Sequence, residues 1–144
     1  MGLNANREEG LDMELDNSAP FIKVQADWHK EGRDGRTFYE KALYEVRKGY
    51  AVIVAPDTIK LIKKLPPLKE RVLRRDKNIC QYCGKYGNTI DHIVPQSEYK
   101  IFTTEEMVVC ACKRCNQLKA NKPMHVFIKE LMKDELIKFI DKSL

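Results

Sequence analysis

Two pairs of cysteines dominate the chemistry open to this chain: Cys80-x2-Cys83 and Cys112-x2-Cys115, with 28 residues between the pairs. Thiolates at i and i+3 on a tight turn can face one ion together, and two such turns complete the tetrahedron that Zn²⁺ prefers. A single CxxC could be a redox motif; two in one chain favour a metal, and the gap between them must hold a small structural element. Gly84 suits the positive φ that follows such a knuckle, and Lys113 and Arg114 set cations beside an anionic tetrathiolate. Four sulfur ligands leave no position for water, so the expected zinc is structural and any reaction needs another centre. The fifth cysteine, Cys110, is read as a small buried apolar residue, with competition for the ion as the alternative.

Between the pairs runs Thr89-Ile-Asp91-His92-Ile-Val-Pro95, and Asn116 follows Cys115 directly. With RVLRRD-x3-CQYCG before and CKRCNQLKANK after, residues 70–123 resemble the HNH endonucleases of the ββα-metal fold. The stretch from Arg36 to Leu65 is similar to the helix-strand lead-in that precedes this module in many members. A DH dipeptide alone carries almost no information; DHIVP and CxxCN-x2-K bracketed by two knuckles is specific.

The resemblance implies hydrolysis of a DNA phosphodiester with a divalent ion, leaving a 5′-phosphate and a 3′-hydroxyl. Such a reaction needs a water made nucleophilic, a Lewis acid at the phosphate and a grip on the backbone. His92 is the candidate general base, since imidazole titrates near neutral pH. Asp91 and Asn116 offer hard oxygen ligands for Mg²⁺ or Mn²⁺. Lys119, Lys122 and Arg114 are the candidate contacts to nucleic acid. Adjacent strand residues point to opposite faces, so Asp91 and His92 require a kink at the strand end to serve one point. Two positions depart from the family pattern. Met107 stands where an Asn usually braces the loop carrying the His, and Ser97 to Ile101 replace the usual Gly-Gly. A non-catalytic zinc-binding DNA-recognition module, or an adaptor subunit of a phage or restriction complex, are the alternative readings.

The elements that must hold these groups are legible in outline. Phe38, Tyr39, Ala42, Leu43 and Val46 recur at helical spacing and Gly49 stops the run. Tyr50 to Ala55 reads as a buried strand ended by Pro56-Asp57, and Thr58 to Leu65 as a second short strand. Leu68 to Asp76 suits a short basic helix after Pro66-Pro67. Thr89 to Val94 reads as a strand, 96–106 as a polar loop, Met107 to Val109 as a short apolar run, and a short basic helix follows Cys112. Pro123 opens a last helix whose stripe of Met124, Phe127, Ile128, Leu131, Met132, Phe139 and Ile140 is expected to pack in a core, a dimer seam being the alternative. Tyr82 is expected to pack, and His29 and His125 to be ordinary. The class is α+β: an acidic loose tail (1–18), a helix-strand extension (19–66), a zinc-stapled ββα-metal module (67–123) and an amphipathic C-terminal helix (124–144).

The 144 residues carry a net charge of +5, unevenly distributed. Residues 1–56 hold 8 basic against 10 acidic side chains, a net of −2, and residues 57–144 hold 18 against 11, a net of +7. Positive charge gathered around the cysteines points to a polyanion, with nucleic acid first. No apolar run approaches the roughly 20 residues of a membrane span, so no membrane partner is expected. The first residues lack an apolar signal core, which sets the expected compartment as a reducing cytoplasm where thiols persist. A homodimer, or a phage or restriction partner protein, is the protein association left open.

Overall fold

The computed structural model describes residues 13–30, 34–98 and 102–143. They divide into two compact units on either side of the Leu65/Pro66 junction. The described residues make a mixed α+β arrangement with four α-helices and two small sheets.

The first unit contains strands β1 (Ile22–Ala26) and β2 (Gly35–Thr37), helix α1 (Tyr39–Arg47), and strands β3 (Ala51–Ala55) and β4 (Thr58–Leu61). The sheet order is β2-β1-β4-β3; β1 runs parallel to β4 and antiparallel to β2, and β3 and β4 form a hairpin across Pro56-Asp57. Helix α1 ends as its spacing predicts. Gly49 adopts φ +74, its N–H bonds the Val46 carbonyl, and the Tyr50 N–H reaches back to Glu45. This closure needs a left-handed residue that only glycine supplies without strain. Leu15, Ile22, Ala42, Ala51 and Ile59 form the buried core of this unit.

Two expectations are corrected here. The extension is a four-stranded sheet with one helix, because β1 and β2 add two strands to the expected helix and strands. Their signal is weak: β1 is a five-residue alternation with only Ile22 fully buried, and β2 is Gly-Arg-Thr. Of the expected loose tail, residues 1–12 lie outside the described residues, but Leu15 is 8% exposed in the core and the Asp16 N–H bonds the Pro56 carbonyl at 2.7 Å.

The second unit contains helix α2 (Leu68–Arg75), strands β5 (Thr89–His92) and β6 (Val108–Ala111), helix α3 (Lys113–Lys119) and helix α4 (Met124–Ser143). β5 and β6 pair antiparallel, with Thr89 opposite Ala111 and His92 opposite Val108. The expected polar loop holds two single 3-10 turns, 96–98 and 105–107, while 99–101 lie outside the described residues. Helix α2 is bolted to the ribbon by its basic residues. Arg75 donates to the Glu105 and Val108 carbonyls at 2.7 and 2.8 Å, and Arg71 pairs with Glu105 at 2.7 Å. Asp76 then accepts the Cys110 N–H at 2.8 Å and the Arg75 guanidinium at 2.8 Å.

Helix α4 corrects a third expectation. Phe127 is 3% exposed and Leu131 packs beside it, but Met132, Leu136, Phe139 and Ile140 are exposed. A 20-residue helix is about 30 Å long, and the small core beneath its first turns ends near Leu131. Among the described residues no helix is long and apolar enough to cross a membrane.

Candidate metal centre and active site

The four cysteines of the two knuckles converge. One ligand atom from each of Cys80, Cys83, Cys112 and Cys115 lies within 4.8 Å of the others, and Cys83 Sγ is 3.8 Å from Cys112 Sγ. Zn–S bonds of about 2.3 Å at tetrahedral angles place sulfurs roughly 3.8 Å apart, so the donor set fits one such ion. Local backbone builds each knuckle differently. In the first, the Gly84 N–H bonds the Cys80 carbonyl at 2.9 Å and Gly84 turns at φ +75. In the second, Cys112 is the N-cap of α3, its sulfur accepting the Cys115 N–H at 3.3 Å.

The sulfurs of the cluster differ in their electrostatics, and burial pushes the Cys83 thiol up. Burial pushes the Cys80 thiol up, but backbone hydrogen bonds from Cys112, Cys83 and Tyr82 outweigh it and bring it down to about 7. Burial and the neighbouring sulfurs push Cys115 well above the usual thiol range. One thiolate among closely packed thiols is what a cation would stabilise, because only deprotonated sulfur ligates. Cys110 stands outside the cluster, fully buried on β6 with its thiol pushed up first by burial, and its sulfur bonds the Gly87 carbonyl.

Beside the sulfurs, α3 is stitched to β5 by two side chains. The Asn116 amide nitrogen donates to Thr89 Oγ1 and to the Ile90 carbonyl, both at 3.1 Å. Lys119 Nζ donates to Asp91 Oδ2 at 2.8 Å and to the His92 carbonyl at 2.7 Å. Thus four successive residues of β5 are gripped from one helix. Asn116 is interior to α3, whose N-cap is Cys112.

Asp91 is 7% exposed, and its Oδ2 also accepts the Tyr82 hydroxyl at 2.6 Å. Burial, and then this bond to a carboxylate, hold the Tyr82 phenol well above its ordinary pKa, so it stays a donor. The Tyr82 ring packs edge-on against Phe127 at 5.3 Å. Tyr82 therefore packs as expected, yet it also ties the first knuckle to the acidic residue of β5. Sequence reasoning missed that bond, since nothing in the spacing announces a partner nine residues away.

His92 ends β5, a bend at Ile93-Val94 follows, and its ring Nε2 lies 3.1 Å from Thr103 Oγ1. Asp91 and His92 thus meet different neighbours, as the pleat requires. Met107 supplies no side-chain brace; its backbone carbonyl accepts the Ile93 N–H at 2.9 Å.

The basic candidates separate. Lys119, expected at nucleic acid, is 1% exposed and committed to Asp91 and the strand, so its ammonium does not meet a ligand from solvent. A buried ammonium must pair, and Asp91 is the partner. Lys122 is exposed and pairs with Glu130 at 2.7 Å, while Arg114 is exposed on the outer side of α3. His125 is exposed at the start of α4, and His29 lies in the first unit beside Trp28.

Comparison with known proteins follows the same residues. The family model described as HNH endonuclease matches residues 80–122. The CRISPR-associated endonuclease Cas9 of Corynebacterium diphtheriae is 38% identical over 61 residues, 40% of this chain. The match spans about 6% of that relative's length. No solved structure matches the chain. Two CxxC knuckles closing on one point, a DH pair on the ribbon between them and an Asn on the helix that follows are the features inside residues 80–122, the span that matches the HNH endonuclease family model.

Proposed function

We propose that this protein is a metal-dependent endonuclease that hydrolyses DNA phosphodiester bonds. The observation that carries the reading is the grip of α3 on β5, through Asn116 and Lys119, which sets an imidazole, a carboxylate and a carboxamide on neighbouring positions beside a four-sulfur cluster. Asp91 Oδ1 and the Asn116 amide oxygen would hold a Mg²⁺ or Mn²⁺ ion, which when bound supplies Lewis acidity at the scissile phosphate. His92 takes the proton of the attacking water. Lys119 neutralises and orients Asp91 from within. Arg114 and Lys122 contribute to holding the DNA backbone from the surface, a salt-sensitive interaction that reads no sequence. Zn²⁺ at Cys80, Cys83, Cys112 and Cys115 is structural. Cysteines kept for a metal rather than for disulfides suit a reducing compartment, the cytoplasm.

The test is nicking of supercoiled plasmid with Mg²⁺ or Mn²⁺, with zinc content measured on the same samples. His92→Ala should lose activity by roughly 10²- to 10⁴-fold, the scale of a general base, with zinc retained. Undiminished cutting by that variant would remove the mechanism.

A further inference from the structure

The side chain that meets the His92 ring comes from the segment between β5 and β6, where no motif of the sequence lies. Thr103 Oγ1 is 3.1 Å from His92 Nε2. The hydroxyl is held by its own surroundings. Thr104 beside it is buried, and its carbonyl accepts the Met107 N–H; the Met107 carbonyl in turn accepts the Ile93 N–H next to the histidine. The turn that follows is fixed to α2 through the Arg71–Glu105 pair and the Arg75 bond to the Glu105 carbonyl. Thr103 therefore stands on a short, doubly anchored stretch of backbone, next to the end of the strand that carries the ring.

Neutral imidazole has one N–H and one lone pair, and the bond made by one nitrogen decides the job of the other. A hydroxyl next to Nε2 can accept its N–H, which leaves the lone pair on Nδ1. A general base needs that lone pair unshared. We propose that Thr103 is the positioning residue of this site: its Oγ1 accepts the His92 Nε2–H, fixing the ring's rotation and tautomer so that Nδ1 is the basic nitrogen. When water is activated, its proton moves to Nδ1, the ring becomes cationic, and the Nε2–H bond to Thr103 shortens into a charge-assisted one. This does the bracing that the side chain of Met107 cannot. The proposal rests on the reading of His92 as the base.

The test compares the full chain with Thr103→Val, which keeps the shape and removes the hydroxyl, and Thr103→Ser, which keeps the hydroxyl. Ring nitrogen NMR of ¹⁵N-histidine-labelled protein reports the tautomer directly, without DNA or added divalent ion. The wild type should show a protonated Nε2 and an unprotonated Nδ1 at His92. Thr103→Val should average the two nitrogens, and Thr103→Ser should restore their separation. In plasmid nicking, Thr103→Val should lower kcat roughly tenfold, the scale of one hydrogen bond, with KM within about twofold, and Thr103→Ser should recover most of it. A wild-type ring protonated at Nδ1, or a Thr103→Val protein with unchanged tautomer and kcat, overturns the proposal. Should the Val variant fail to fold, the wild-type and Ser spectra still decide it. A Thr103-dependent Nε2–H in a protein that cuts no DNA supports the hydrogen bond and overturns the nuclease reading instead.

Discussion

A buried lysine changes what the basic charge near the cysteines means. Lys119 and Lys122 are three residues apart and look alike in the sequence, yet one is sealed against Asp91 and the other is open to solvent. Their removal should therefore have opposite signatures. Lys119→Met leaves a carboxylate buried with only the Tyr82 hydroxyl, which should cost about 3–5 kcal/mol of stability. Lys122→Met should cost no more than about 1 kcal/mol, since an exposed pair contributes little. In DNA binding, Lys122→Met should lower the steepness of the salt dependence by about one phosphate contact. Thermal melts beside a salt titration check both, and a stable Lys119→Met protein with a reduced salt slope would return that lysine to the DNA surface.

At the level of elements, the helices and the β5–β6 ribbon were legible because each carries a local signal: Gly49 closing α1, Pro66-Pro67 before α2, the apolar TIDHIV run, the basic stretch after Cys112, Pro123 opening α4. The strand β2 was not, since Gly35-Arg36-Thr37 offers no apolar alternation and exists only by pairing with β1. The side chains that meet Asp91 and His92, Tyr82 and Thr103, were equally hidden, because these contacts span 9 and 11 residues and no spacing rule encodes them. Helix α2 shows the same limit. Its arginines read as a basic surface, but Arg75 and Asp76 lock the helix to β6. The Arg75 guanidinium, and after it the Cys110 N–H, hold the Asp76 carboxyl below its ordinary value of 3.8. A depressed carboxyl gives stability that is complete above its unfolded value and disappears as pH falls through the folded one, so the loss lies below about pH 4. Asp76→Asn should cost about 1–3 kcal/mol at neutral pH and flatten the stability profile in that acid range; urea midpoints at pH 3 to 7 measure it. Helix α4 gives a matched pair. Phe127→Ala should cost about 3–5 kcal/mol, because the ring fills the space between Tyr82 and the cysteines, whereas Phe139→Ala, 69% exposed in the wild type, should stay within about 0.5 kcal/mol.

Each unit is stabilised by different physics, and chelation should distinguish the stability of one from that of the other. The first unit buries Leu15, Ile22, Ala42, Ala51 and Ile59, a conventional apolar core with no cysteine in it. The second has a core cluster of Cys80, Ala111, Cys115 and Phe127, half of whose members are candidate metal ligands, and it buries Val72, Val108 and Cys110 as well. A core that rests partly on cysteines leans on whatever they hold, and for a structural tetrathiolate site the free energy of ion binding, of order 10 kcal/mol, is folding free energy. Without the ion, the gathered sulfurs have no reason to stay together, Tyr82 loses its seat between two of them, and the Asp91–Lys119 pair is left open to water. Excess chelator should thus collapse the amide NMR signals of residues 68–143 toward unfolded positions while those of 22–61 keep their dispersion, and added Zn²⁺ should restore the lost set. Retention of both sets at undetectable metal content would mean that apolar packing alone carries the second unit, and the sulfur cluster would lose its place as the support on which His92, Asp91 and Asn116 depend.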